Sequence, residues 1–258
     1  MRRVWRTLRI AILLTLLVVV ALGTYLDRLR TADWDRTLWV GVFPVNADQR
    51  ESTAAYVSRL EPADFRDVET FFSTEAAAWG VAQERPVHVE LYPAVEELPP
   101  ALAPGASLPG RMLWSLKARY YSWRVAGDRH AHVRVFVLYH DPAHTGEVPH
   151  SLGLRKGLFG IVHAYADPSY EATNNVVLAH ELLHTAGATD KYDPATSQPL
   201  FPQGYAEPEA TPLHPQRFAE IMAGRIAITD DEAAMPASLE QVVVGPETAR
   251  EINWIDGP

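Results

Sequence analysis

No cysteine occurs anywhere in the chain. Disulfide frameworks and thiolate metal sites are therefore excluded, and any transition metal must be held by histidine and carboxylate. Internal repeats, low-complexity tracts and Gly/Ser-rich linkers are also missing, so nothing divides the region after residue 30, and residues 31–258 read as one domain. Positive charge is scarce in that region. Residues 1–30 hold six of the chain's 23 basic residues and one of its 32 acidic ones, which leaves 17 against 31 and a net charge of −14. This balance argues against nucleic acid as a partner and favours solubility, while saying little about substrate. What is present suits a globular protein: 258 residues, 47% apolar and 21% charged, can bury one substantial core or two small ones.

The N-terminus differs from the rest. Four arginines lie within residues 1–9 and run into the apolar stretch Ile10 to Leu22, which continues less cleanly to Leu26. That pattern is a targeting segment. Ala21-Leu22-Gly23 would suit cleavage of a secretory signal, leaving a secreted protein. Counting to Leu26 gives about 17 residues, just enough to span a bilayer. Arg28 and Arg30 follow at once, an unusual start for a mature exported chain. The reading preferred is a retained membrane anchor with its cationic end cytoplasmic and the remainder exported.

Alternation and periodicity predict strands at 38–45, 87–92, 132–139 and 158–166. Helical spacing covers 48–60, 64–79 and 111–125, a helix beginning near Tyr170, and a last one at 246–254 with Pro246 in its first turn. Residues 99–109 and 140–157 read as loops. From Asp190 to Arg217 there are six prolines and little periodicity, so an irregular C-terminal lobe is expected. Helices and strands alternate along the chain. The expected fold is α/β (α+β), a mixed, mostly parallel sheet with helices packed on it.

Residues 180 to 190 read His-Glu-Leu-Leu-His-Thr-Ala-Gly-Ala-Thr-Asp. His180 and His184, four apart, share one helix face, so their imidazoles can converge on one metal ion. Glu181, rotated about 100° from His180, sits beside that ion without ligating it and can polarise a bound water. Leu178, Leu182, Val176, Val177 and Leu183 make the helix apolar nearly all round. It must be buried, and two buried histidines need a partner such as a metal. Gly187 can take the left-handed conformation that ends a helix and turns the chain, which brings Asp190 within reach of the same ion.

His180, Glu181, His184, Gly187 and Asp190 match, position for position, the motif His-Glu-x-x-His-x-x-Gly-x-x-His/Asp, and here the chain resembles the metzincin clan of zinc peptidases, in the snapalysin-like form whose third ligand is Asp. The resemblance covers residues 158–254. It implies Zn2+ held by His180, His184 and Asp190, and a methionine turn beneath the metal, for which Met222 in Glu220-Ile-Met-Ala-Gly-Arg225 stands 38 residues after His184. By the same analogy the strand at 158–166, with glycines at 157 and 160, would be the edge strand that an extended peptide pairs with. Asp193, Glu207 and His214 remain alternative third ligands.

The implied activity is an endopeptidase in which a zinc-activated water attacks the peptide bond and Glu181 is the general base. Two other readings stay open: a catalytically silent envelope domain that keeps the metal for stability, and a zinc amidase acting on a non-peptide amide. A general base at Glu181 has no use in the first of these. Tyr192 reads as a packed aromatic, with oxyanion donor as its alternative. His140, His144 and His150 with Asp141 read as a solvated loop, their uneven spacing speaking against a second ion.

Overall fold

The structure is a computed structural model that describes residues 33–256, apart from 104, 128, 150 and 155–157, and the isolated positions 5, 9 and 18; of 152–154 it describes the backbone. The expected targeting segment lies outside these residues except at those three positions. Among the described residues no helix is long and apolar enough to cross a membrane.

Strands β1 (Leu38–Asn46), β2 (Val87–Leu91), β3 (Val133–His140), β4 (Leu152–Leu154) and β5 (Phe159–Tyr165) form one sheet in the order β2-β1-β3-β5-β4. β1 pairs in parallel with both β2 and β3, and β3 pairs in parallel with β5. Only β4 runs antiparallel. The mixed, mostly parallel sheet expected from the alternation of elements is thus present. β1 and β3 are buried on both faces, as strands covered by helices on either side of a sheet are.

One face of the sheet offers Val40, Val42, Val135, Val137, Val162 and Ala164 to a core shared with three helices. These are α1 (Glu51–Val57), α2 (Arg66–Ala78) and α4 (Glu171–Ala186). The other face offers Phe43, Val45, Phe136, Leu138, Phe159 and Ile161 to Trp114, Ala118 and Tyr121 of α3 (Leu108–Ala126). The two cores follow from strand alternation, successive side chains of β1, β3 and β5 pointing to opposite faces.

The edge-strand expectation needs correcting. β5 is interior, lying between β3 and β4, and the edge belongs to β4, inside the stretch read as a loop. Three residues are too few to show a period of two. After α4 the lobe from Asp190 to Arg217 contains only isolated bridges, Tyr192 to Pro199 and Tyr205 to Ala219. The short strand pairs β6 (Ala219–Glu220) with β9 (Val242–Val243), and β7 (Ile226–Ala227) with β8 (Ala233–Ala234), close the molecule, followed by α5 (Pro246–Glu251).

Candidate metal centre

α4 leaves the C-terminal end of β5 through a turn in which Asp167 Oδ1 accepts the Ser169 N–H at 2.8 Å. Leu178, Leu182 and Leu183 are fully buried and fix the rotation of the helix against the sheet. Burying each such side chain stabilises the fold by about 1.5–3 kcal/mol. That rotation sends His180 and His184 toward the C-terminal lobe. The helix ends at Gly187 with φ 123°, a value that favours glycine, while Ala188 N–H closes the end on Leu183 O at 3.0 Å.

The two Nε2 atoms face each other at 3.1 Å. Asp190 Oδ1 lies 3.2 Å from His180 Nε2 and 3.1 Å from His184 Nε2, so the three atoms form a nearly equilateral triangle. His180, Glu181 and His184 also form a group whose ligand atoms all lie within 4.8 Å of one another. The explicit distances make Asp190, rather than Glu181, the third member of the tightest set. Tetrahedral coordination with bonds of ~2.0–2.1 Å places ligand atoms about 3.3 Å apart, close to these edges.

Tautomers support the same fit. His180 Nδ1 donates to Ile221 O at 2.8 Å and His184 Nδ1 donates to Ala188 O at 3.0 Å. Each imidazole therefore presents the lone pair of Nε2 to the centre. Two such lone pairs and a carboxylate oxygen at 3.1–3.2 Å repel one another unless a cation lies among them. The residues present fit a divalent metal. In the protonated form that competes with a metal, the histidines donate to Asp190 instead; burial alone would raise the Asp190 carboxyl, but these bonds prevail and hold it well below the usual range. Burial would lower His184, but Asp190 and Glu181 prevail and raise it. The Asp190 side chain is 44% exposed against 13% and 18% for the histidines, so the triangle opens to solvent on its carboxylate side.

Backbone around the site is tied down from three directions. Glu220, with no exposed surface, accepts from Met222 N at 2.7 Å, Ala223 N at 3.0 Å, Gly245 N at 3.1 Å and Thr248 Oγ1 at 2.6 Å. The turn it organises puts Ile221 O on His180 and Met222 O on Lys191 N–H at 2.9 Å, with the Met222 side chain fully buried. Glu251 of α5 holds the residues on both sides of Asp190. Its carboxylate accepts from Thr189 N at 2.9 Å, from Thr189 Oγ1 at 2.5 Å and from Lys191 Nζ at 2.7 Å. Gly204 is a close-approach position, since a Cβ there would lie 2.3 Å from Lys191 O.

The alternative third ligands have other partners. Asp193 Oδ1 accepts from Ala195 N at 2.8 Å, Glu207 is paired with Arg217, and His214 meets the Tyr205 hydroxyl at 3.1 Å. Tyr192 lies 6.5 Å from His180, ring centre to ring centre, and burial beside Asp190 and Glu181 raises its hydroxyl. His144 faces Asp141, which also accepts from Ser52. His140 bonds instead to His163, a partner unseen in the sequence, and burial with His140 alongside pulls His163 down to about 4. His150 lies outside the described residues. Glu220, Lys191 and Glu251 also went unseen. Only Glu220 left a local signal, a lone charge beside the apolar Ile221-Met222.

No family model and no curated protein sequence matches the chain. Among solved structures it is similar to the crystal structure of wild-type OgpA from Akkermansia muciniphila, at 14% identity and a TM-score of 0.43. The superposition covers 84% of this chain and 60% of that one, so the chain spans less than two thirds of OgpA's length.

Proposed function

We propose that the protein is a zinc metallopeptidase of metzincin type, an endopeptidase whose metal is held by His180, His184 and Asp190. The observation that carries this reading is the triangle of two Nε2 atoms and one Oδ1 with edges of 3.1–3.2 Å, both Nδ1 atoms being committed to carbonyls. A bound zinc ion would supply Lewis acidity toward the scissile carbonyl and bring the pKa of a water toward about 7.

The chain's residues do the rest. Glu181 is next to His180 on α4 and only 6% exposed. Its carboxylate takes the proton of the attacking water and delivers it to the leaving amine. Ile221 O and Ala188 O hold the imidazoles in the tautomer that ligates. Asp190 would add a negative charge that a third histidine would not, so a metal bound here would be a weaker Lewis acid than in three-histidine sites. Export of the domain, with residues 1–30 as its membrane anchor, belongs to the same proposal and rests on the arginine-flanked apolar run.

The test is Glu181→Gln assayed for zinc content and for digestion of a peptide library. Zinc should remain near that of the parent, and turnover should fall by at least about 10²-fold, the scale of general-base loss. A fully active Glu181→Gln would refute the assignment, and zinc binding by the parent with no hydrolysis of any peptide would favour a metal-stabilised structural domain.

A further inference from the structure

α3 carries apolar residues on two opposite faces. Trp114, Ala118 and Tyr121 pack on the sheet. Leu108, Met112, Leu113, Leu116, Tyr120 and Trp123 are 51–74% exposed. At 100° per residue these six fall within an arc of about 140°, opposite the packed face. Single exposed apolar side chains are ordinary, but six in one stripe form a contiguous patch of the kind that marks an interaction surface.

The charge of the helix singles it out as well. Arg111, Lys117, Arg119 and Arg124 give α3 four positive charges and no acidic residue, within a region (31–258) of net charge −14. By the same helical geometry Lys117 and Arg124 lie at one border of the apolar stripe, with Arg119 and Arg111 toward the other. An apolar stripe with Trp and Tyr, bordered by Lys and Arg, is the composition of a helix that lies in a membrane interface. A second copy of α3 would meet its own positive charge there. Residues 1–30, with six arginines and one aspartate, would do the same.

We infer that the outer face of α3 docks on an anionic lipid surface. The apolar stripe enters the headgroup region, while Lys117 and Arg111, on its two sides, reach lipid phosphates; Arg124 is paired with Glu97 at the edge of the helix. α4 packs on the opposite face of the sheet, so a membrane on this side leaves His180, His184 and Asp190 open to solvent. The inference is independent of the peptidase reading.

The absence of cysteine makes a clean test available. Leu116→Cys in the full chain is labelled with an environment-sensitive fluorophore, and the chain is reconstituted in vesicles of phosphatidylcholine with or without phosphatidylglycerol. Glu209→Cys is the exposed control. The label at 116 should shift to the blue and brighten several-fold only when phosphatidylglycerol is present, with no change at 209. Arg111→Glu combined with Lys117→Glu should abolish the shift while leaving the near-ultraviolet circular dichroism unchanged. The inference is overturned by no shift on anionic vesicles, or by an equal shift on neutral ones. A shift that follows the protein-to-lipid ratio instead of lipid charge would also overturn it, assigning the face to a second copy.

Discussion

Asp190 sits between two residues that share one partner, since Thr189 and Lys191 both bond to Glu251. Burial would raise the Glu251 carboxyl, yet Lys191 and Thr189 prevail and hold it below its ordinary 4.5. A depressed carboxyl stabilises the fold fully above its unfolded value and loses that contribution as pH falls through the folded value. Thermal unfolding of the parent and of Glu251→Gln should therefore differ by about 1–2 kcal/mol at neutral pH, with the gap closing as pH falls below the ordinary 4.5. An unchanged gap in acid would show that the tie is not ionic. That His180, Glu181, His184 and Asp190 come together was legible in the sequence, because helix periodicity and one glycine turn relate them locally. Glu251 and Glu220 were not, because their partners stand up to 62 and 28 positions away and no local pattern links them.

At the scale of elements, α4 positions the histidines through its buried leucines. Leu182→Ala should cost about 2–5 kcal/mol of stability, read from chemical denaturation, because it leaves a cavity under the motif. The turn at residues 220–224 acts through its backbone, Ile221 O on His180 and Met222 O on Lys191 N–H. Met222→Leu conserves volume, so it should cost less than about 1.5 kcal/mol and leave zinc content unchanged. A loss of zinc in that variant would mean that the thioether itself matters. Long buried strands and the helices announced themselves by apolar runs and periodicity. β4, β6 and β7 could not, because two or three residues carry no period and their pairing is set by what the rest of the chain places beside them.

At the scale of the whole molecule, the start of the continuously described region packs against the C-terminal segment. Trp34 is buried, donates from Nε1 to Ile252 O at 2.6 Å and meets Trp254 edge to face at 5.6 Å. A chain starting at residue 31 should keep this contact and the melting temperature of the full chain. Trp34→Ala should instead lose about 3–5 kcal/mol. Residues 31–258 should also stay soluble at their net charge of −14. On the proposed reading, three side chains, two on α4 and one beyond its glycine turn, hold one zinc ion. Zinc titration of the purified chain, parent against Asp190→Ala, tests it most directly. About one tightly bound equivalent is expected for the parent and a collapse of affinity in the variant, because two histidines alone leave the site a ligand short. Equal affinity in the two proteins would contradict it and place the third ligand elsewhere in the chain.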